Sequence, residues 1–264
     1  MTSLAIQWIR TRSLRSGSMV ERNFFVHRRA WLLMLTGLLE PLFYLLGLGV
    51  GVGALVGDIT VGDRSFPYAT FVAPAMLANA AMLAAVSETA FNVFGKLKFA
   101  KLYDGIMATP MRPMDIASGE GLWALIRGLI YVIAFIIVTA LLGMVESVWA
   151  ILAVPAGLLI CAAFVGIGLT LATYFKSWTD FDWVMALVFV LFFFSGTFAP
   201  ISTYPTVLQW LVYLSPLYHG IELTRGAMLG LPTPMMALHA VYLLVVTGVG
   251  LMIASRRMSR LLYK

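Results

Sequence analysis

Six long apolar runs constrain the fold of this chain more than any other feature of its sequence. They cover approximately residues 31–57, 67–90, 119–142, 149–174, 183–200 and 235–254. Each is near the roughly 20 residues that a helix needs to cross a bilayer. Only 11% of the 264 residues are charged, against about 25% in a soluble globular chain, and a β-barrel would need strands of roughly ten residues with alternating polarity. The sequence therefore predicts an all-α membrane protein with one domain, residues 1–264.

The positive charges are distributed asymmetrically along the chain. Fifteen Lys and Arg residues lie in the N-terminal segment, the connections after the second and fourth runs, and the C-terminal tail; the alternate connections carry only Arg64 and Arg225. Cytoplasmic loops are enriched in Lys and Arg, and six spans place both termini on the same side. We expect both termini in the cytoplasm. The net charge of +6 follows from this placement, which argues against nucleic-acid binding.

The N-terminal segment, residues 1–30, contains a candidate surface helix. Residues 4–15 place Leu4, Trp8 and Ile9 at helical spacing among arginines, which favours a basic amphipathic helix on the inner leaflet. The alternative is a disordered basic leader.

The first apolar run ends in LLGLGVGVGALVG, where Gly47, Gly49, Gly51, Gly53 and Gly57 form overlapping small-xxx-small pairs. Such spacing lets helix backbones approach closely. It predicts a packing face, either within the subunit or between subunits, although glycine is also generally enriched in membrane helices.

The connection at residues 91–118 mixes apolar and basic residues. Its sequence FGKLKFAKLYDGIMATPMRPMDIASGE predicts a short amphipathic helix around 96–107, ended by Pro110 and Pro113. A solvated linker does not need an apolar face, whereas a helix that docks into a groove of another protein does. The alternative is a helix that lies on the membrane surface.

Two charges lie inside predicted spans. Glu40 and Arg127 are eight to nine residues into the first and third runs, which puts both roughly 12–14 Å from the inner surface. Because charges in spans are costly and mark functional sites, we expect the two to pair if their helices are neighbours; otherwise each meets water separately. A block of three aromatic residues, Phe192, Phe193 and Phe194, suggests a substrate path, although such residues are more often lipid-facing.

Residues 195–230, SGTFAPISTYPTVLQWLVYLSPLYHGIELTRGAMLG, contain two half-length apolar pieces that Pro205 and Pro216 separate. Glu222 and Arg225 are three residues apart and so share a helix face. The segment is too interrupted to be a clean span.

Several catalytic patterns are absent from the sequence. It has no GxxxxGK[ST] phosphate loop, no GxSxG elbow and no HExxH pair. The histidines His27, His219 and His239 are dispersed without metal-ligand spacing, and Cys161 is the single cysteine. If this protein does energy-requiring work, the energy has to be supplied elsewhere.

Three of the segments carry a family resemblance. KLYDGIMATPMRPMDIASGEGLW, residues 195–230 and FFVHRRAWLLMLTGLLEPLFYLLGLGVGVG resemble ABC-2-type transporter permeases, in particular exporters of nodulation lipo-oligosaccharides and daunorubicin-type drug permeases. The resemblance implies a half-transporter in a bacterial plasma membrane. It would pair with a second permease copy, identical or paralogous, and with two separate ATP-binding subunits that carry ATP and Mg²⁺, with no cofactor on this chain.

The resemblance also assigns roles to residues. The coupling segment that contacts the ATPase would include Lys98, Lys101, Leu102, Tyr103, Asp104, Thr109 and Pro110. The segment 201–230 would form two short helices, about 204–214 and 217–228, which re-enter the outer leaflet without crossing. An outer gate there would include Pro205, Pro216, His219, Glu222 and Arg225; an interfacial loop is the alternative.

These features predict the permease subunit of an exporter of an amphipathic molecule, either a glycolipid or a hydrophobic drug, surrounded by membrane lipids. One alternative is a membrane-embedded lipid-modifying enzyme, for which Asp180 and Asp182 are the best acid pair, but residues two apart do not share a helix face. The other alternative is a passive channel or a scaffold, although a channel would need polar residues along several spans and these spans are too apolar.

Overall fold

The computed structural model describes the backbone of residues 2–28 and 31–263, and the side chains of residues 15–28 and 36–263. The α-helices are α1 (Thr2–His27), α2 (Trp31–Tyr44), α3 (Gly53–Val56), α4 (Tyr68–Val86), α5 (Leu102–Met107), α6 (Pro113–Leu141), α7 (Ala153–Tyr174), α8 (Phe181–Phe194), α9 (Thr206–Tyr213), α10 (Pro216–Met228) and α11 (Met235–Leu262). π-helical and 3₁₀ segments lie at Leu45–Val52, Ser87–Asn92, Gly95–Phe99, Val148–Leu152, Trp178–Asp180 and Ile201–Thr203. Strands β1 (Asp58–Val61) and β2 (Arg64–Pro67) form an antiparallel hairpin.

The predicted all-α membrane class is confirmed. Within the described residues, five helical stretches are long and apolar enough to cross a bilayer. They are Thr36–Val56, Tyr68–Phe99, Pro113–Leu141, Val148–Tyr174 and Met235–Leu262. Each overlaps one of the six predicted runs.

The predicted fifth span, 183–200, is shorter than expected. Its helix, α8, covers only Phe181–Phe194, about 21 Å at 1.5 Å per residue, against roughly 30 Å of hydrocarbon. The chain turns after Ser195 because Gly196 adopts a left-handed φ of 74° and Pro200 follows. The apolar run continues beyond the helix end, so hydropathy overestimated its length.

The directions of the packed helices define how the chain traverses the bundle. Helix α6 packs antiparallel to α7. Helices α7 and α11 run parallel: Gly166 lies against Gly250, and one heptad further along both helices Arg257 Nε donates to Thr173 Oγ1 at 3.2 Å. Because the two helices are parallel, the last residues of α7 and of α11 lie at the same end of the bundle. The chain from α8 to α10 therefore has to cross back to the opposite end before α11 begins.

The bundle has two distinct ends. We call one the basic end, which contains residues 94–118 and 175–180; Trp178 stacks on Phe99 there with ring centroids 5.3 Å apart. We call the other the hairpin end, which contains β1–β2 and the connections at 142–148 and 195–234. Arg64 donates to the carbonyl of Leu229 at 3.3 Å there, so the hairpin is fastened to the end of α10.

Helix α4 forms the centre of the bundle. It packs against α2, α6, α7 and α10, and nearly all its residues from Tyr68 to Val86 are buried. Helix α1 extends well beyond the predicted 4–15, and its second half packs on α6, where Ser16 Oγ lies 2.7 Å from Ser118 Oγ. The side chains of Leu4, Trp8 and Ile9 lie outside the described residues.

The glycine series of the first span divides between two faces. A Cβ at Gly49 would lie 3.5 Å from the Cα of Ala69, and one at Gly53 would lie 3.5 Å from Tyr68, so these two glycines pack against α4. No described atom lies within 4 Å of a Cβ at Gly47 or Gly51. One small-xxx-small pair therefore packs inside the subunit, and the other is left open on its surface.

Candidate functional site

The segment at the basic end is broken rather than continuous. The helix predicted around 96–107 is two pieces, the π-helical Gly95–Phe99 and α5, separated at Lys101. Lys101 is left-handed with φ 45°, a conformation that costs a residue with a Cβ roughly 1–2 kcal/mol. The break turns α5 away from the axis of α4. The prediction of one helix was wrong because propensity does not report a single left-handed residue.

Most residues predicted to contact an ATPase are exposed at this end. Lys98, Lys101, Asp104, Thr109 and Pro110 are all exposed, and Leu102 is half-buried. Pro113 begins α6, and Asp115 accepts a hydrogen bond from the backbone N–H of Arg112 at 3.1 Å. This bond fixes the end of the exposed loop at the start of α6. Docking of a partner on this surface stays a prediction.

Tyr103 differs from the other predicted contact residues because it is fully buried. Its hydroxyl donates to Glu120 Oε1 at 2.9 Å. Burial, and next the Glu120 carboxylate, raise the pKa of Tyr103 well above its ordinary value, which keeps the hydroxyl protonated as a donor. Tyr103 thus attaches α5 to α6 and is not accessible to a partner protein. This corrects the prediction that Tyr103 contacts the ATPase.

Glu120, fully buried in α6, joins four parts of the basic end. Lys96 Nζ lies 2.7 Å from its Oε2, and Asn23 Nδ2 donates to the same oxygen at 2.9 Å. Lys96 also donates to Asn23 Oδ1 at 3.3 Å. Together with Tyr103, these bonds connect α1, the end of the α4 segment, α5 and α6 to one carboxylate. The position of α5 is therefore tied through this carboxylate to three other helical segments.

Arg127 has a different partner from the one predicted. It forms a salt bridge with Glu88 Oε2 and donates to Tyr131 Oη at 3.2 Å. The predicted pair with Glu40 is wrong: α2 does pack against α6, with a Cβ at Gly37 only 2.7 Å from Tyr131 Oη, but Glu40 points to the exposed side of α2. The predicted equal depth of the two charges did not determine which face of its helix each one occupies.

The hairpin end contains the two short helices predicted before the last span. Helix α9 starts after Pro205 and α10 starts at Pro216, close to the predicted 204–214 and 217–228. Nearly all of α10 is buried, packed among α4, α7 and α11. Thr224 Oγ1 donates to the carbonyl of Pro74 in α4 at 3.0 Å. Their entry into the outer leaflet stays a prediction.

Glu222 and Arg225 share a face of α10, as expected from their spacing. Arg225 Nη1 donates to Glu222 Oε1 at 2.7 Å, and Nη2 donates to the carbonyl of Gly196 at 2.8 Å. The guanidinium carbon also lies 4.1 Å from the centroid of the Phe71 ring. Arg225 thereby ties α10 to the turn after α8 and to α4.

His219 connects α10 to α11. Its Nδ1 lies 2.7 Å from Nδ1 of His239, its Nε2 lies 2.9 Å from the carbonyl oxygen of Tyr213, and its ring stacks on Tyr242 at 3.9 Å between centroids. The positions of these two histidines in the chain did not predict that they meet. Within the described residues, no group of three or more His, Cys, Asp or Glu is placed to hold a metal ion.

The remaining predicted residues have mixed environments. Phe192 is buried against Tyr44, whereas Phe193 and Phe194 are each 46% exposed; their role in a substrate path stays a prediction. Asp180 accepts from the backbone N–H of Lys176 at 2.7 Å. That bond makes Asp180 a turn-capping residue, and Asp182 is exposed beside it.

Sequence reasoning missed the buried acids Glu88 and Glu120. Both lie near the ends of predicted runs, Glu88 in 67–90 and Glu120 in 119–142. The helices in fact extend to Phe99 and begin at Pro113, about two turns further than hydropathy indicated. The basic and amphipathic flanks, which lower mean hydropathy without ending a helix, were the signal that could have revealed the extra turns.

Comparison with known proteins gives consistent matches over most of the chain. A family model described as ABC-2 type transporter matches residues 16–229. Nodulation protein J of Rhizobium leguminosarum bv. trifolii is 35% identical over 213 residues, 80% of each chain. Nodulation protein J of R. leguminosarum bv. viciae is 30% identical over 245 residues, 90% of this chain and 93% of the relative. The relative of the same name from Sinorhizobium fredii (strain NBRC 101917 / NGR234) is 32% identical over 220 residues, 83% of this chain and 82% of the relative. The resemblance inferred from the quoted motifs is confirmed.

Proposed function

Because this chain belongs to the ABC-2 type transporter family and is the multi-pass membrane subunit of a transporter, we propose that it forms half of an ATP-driven exporter. Its cargo is an amphipathic molecule, a glycolipid or a hydrophobic drug, which moves outward from the cytoplasm or the inner leaflet. ATP and Mg²⁺ bind to separate partner subunits.

The basic end faces the cytoplasm in this proposal. It carries Lys96, Lys98, Lys101, Arg112 and Lys176, whereas the hairpin end carries Arg64 and Arg225, and cytoplasmic segments are enriched in cations. The parallel directions of α7 and α11 support a sixth crossing, made by α8, which returns the chain to the hairpin end. Both termini are then cytoplasmic.

The observation that carries the proposal is the two-sided construction of residues 98–110. The outer side, with Lys98, Asp104 and Thr109, is exposed, while beneath it Tyr103 is fastened to buried Glu120. An ATP-binding subunit that grips the outer side would move α5, and the carboxylate would pass that movement to α1, α4 and α6.

A second permease copy completes the transporter in this proposal. Exposed apolar residues on α2 and its π-helical extension include Phe43, Leu46 and Val50, on the same side as the open Gly47 and Gly51. Open small-xxx-small pairs are typical of helix–helix contacts in membranes. The cargo would move along the seam between copies.

The test is reconstitution of this chain with its ATP-binding partner in lipid vesicles. We expect ATP-dependent movement of a fluorescent amphiphile, and its loss when Asp104→Arg and Thr109→Arg are introduced together on the exposed surface. The control variant, Glu146→Arg, changes an exposed acid at the opposite end, outside the cavity described below, and should retain transport. Equal transport with and without ATP, in a chain that inserts normally, would refute the proposal.

A further inference from the structure

A cavity of about 220 Å³ lies at the hairpin end, beside the proposed exit. It is lined by the β1–β2 turn, the middle of α10 and the start of α11, with residues Val61, Gly62, Glu222, Leu231, Thr233 and His239 among its walls. Gly62 and Thr233 are exposed at its rim, so the cavity opens to the surface. At roughly 30 Å³ of liquid volume per water, it has space for about seven water molecules, or one six-membered ring.

The polar groups of this cavity include two hydrogen-bond acceptors and one donor: Arg225 also lines the cavity, and its buried Nε has no partner among the described residues. Glu222 Oε1 is occupied by Arg225, but the side chain is 33% exposed, and no donor to Oε2 is found among the described residues. A carboxylate oxygen only accepts. Glu222 therefore presents an open acceptor at the cavity.

His239 contributes a second acceptor. The carbonyl of Tyr213 only accepts, so His219 Nε2, 2.9 Å away, carries its proton. Nδ1 of neutral His219 is then an acceptor, and its 2.7 Å contact requires the proton on Nδ1 of His239. Neutral His239 is left with an unprotonated Nε2, which is an acceptor.

The charge balance indicates which donors the cavity takes. Arg225 lies 2.7 Å from Glu222 and neutralises it, so the site gains little from an ammonium group. Two acceptors and the Arg225 Nε donor, with no net charge between them, suit uncharged hydroxyl groups, which both donate and accept. The apolar walls Val61 and Leu231 suit the C–H face of a ring. We propose that this cavity binds an uncharged, hydroxyl-bearing ring of an amphiphile head group, with Glu222 and His239 as the residues that select it.

This proposal rests on the proposed exporter function, because the cavity would hold the head group of the cargo as it leaves. Binding is nevertheless measurable without ATP or the partner subunit. A loss of binding would therefore be distinguishable from a failure of ATP-driven export, which the vesicle experiment tests separately.

The experiment uses the full chain in phosphatidylcholine nanodiscs and two photoreactive probes. One is octyl glucoside and the other octyl tetraethylene glycol, each with a diazirine next to the head group. We expect the glucoside probe alone to label residues 61–63 and 222–239, with competition by unlabelled octyl glucoside. Equal labelling of these residues by both probes would overturn the proposal.

Two variants and a control sharpen the result. Glu222→Gln replaces the open acceptor by a donor and should weaken glucoside competition by about ten-fold or more, the size expected for a hydrogen bond to a charged group. Because this change also removes the neutralising charge beside Arg225, Val61→Trp provides a second variant that fills the cavity from the hairpin and leaves the ion pair intact. Glu146→Gln, at an exposed acid of the same end outside the cavity, should bind as the unaltered chain does. Labelling that survives Val61→Trp would also overturn the proposal.

Discussion

The hydroxyl of Tyr103 donates a 2.9 Å hydrogen bond to Oε1 of Glu120, and both residues are completely buried. This bond fixes α5 to the first turns of α6, beneath the surface proposed to contact the ATP-binding subunit. Because Glu120 also binds Lys96 and Asn23, the bond belongs to a network rather than to an isolated pair.

Removing that hydroxyl tests the network. Tyr103→Phe should lower stability by about 1–3 kcal/mol, because Glu120 loses a donor in a buried site. It should also reduce ATP-driven transport more than it reduces insertion, since α5 loses its anchor. Thermal unfolding in detergent and vesicle transport measure the two effects. Tyr263→Phe, at a 62% exposed tyrosine, is the control; transport unchanged in Tyr103→Phe would contradict the role of the anchor.

The buried pair of Glu88 and Arg127 makes a prediction about single and double variants. Arg127→Met should destabilise the protein by about 3–5 kcal/mol, because it leaves the Glu88 carboxylate buried without a counter-charge. Adding Glu88→Gln should recover much of this loss. Unfolding temperatures of the single and double variants provide the measurement. If Glu40→Gln restored the stability of Arg127→Met and Glu88→Gln did not, the result would support a Glu40–Arg127 pair and contradict the structure.

The contact between α7 and α11 depends on two facing glycines. A Cβ at Gly250 would lie 2.7 Å from the carbonyl carbon of Gly166, so Gly250→Ala should cost about 1–3 kcal/mol or more by separating the helices. Gly248→Ala on the same helix meets no described atom within 4 Å and should be tolerated. Unfolding in detergent compares the two, and equal stability would show that the helices do not cross at this point.

The two glycine faces of the first span predict two kinds of defect. Gly49→Leu should impair folding, because Gly49 packs on Ala69 inside the subunit. Gly51→Leu should leave the monomer folded and weaken association of two copies, since its face is open. Cross-linking in membranes and unfolding of the purified chain separate these outcomes. Undiminished association of Gly51→Leu would exclude this face from the contact between copies.

Asp180 predicts a pH dependence at the basic end. Hydrogen bonds from the backbone N–H groups of Lys176 and Ser177 lower the pKa of Asp180 below its ordinary value of 3.8. A carboxyl with a lowered folded pKa stabilises the turn above the unfolded pKa and loses that contribution as the pH falls through the folded value. The turn should therefore stay ordered at neutral pH and loosen only in acid below about pH 4. Fluorine NMR of fluorotryptophan at Trp178 reports this change, which Asp180→Asn should abolish and Asp182→Asn should retain.

The membrane class and five of the spans followed from apolar runs in the sequence, and the two short helices near 204–228 followed from the family resemblance of their segment. Long apolar runs and interrupting prolines act locally, because each helix satisfies its own backbone hydrogen bonds and proline removes a donor wherever it lies. The spacing of Glu222 and Arg225 likewise predicted their contact, since residues three apart share a face. The family also followed from motifs that are contiguous in the chain.

Only the tertiary structure decided which distant side chains meet. Arg127 pairs with Glu88 rather than Glu40, four helical segments converge on Glu120, and His219 meets His239 across two helices. Each of these depends on the rotation of one helix about its axis relative to another, which hydropathy does not record and which close packing alone fixes. That a charge lies inside an apolar run was readable from the sequence, whereas the direction in which a buried charge points was set by the neighbours that surround it.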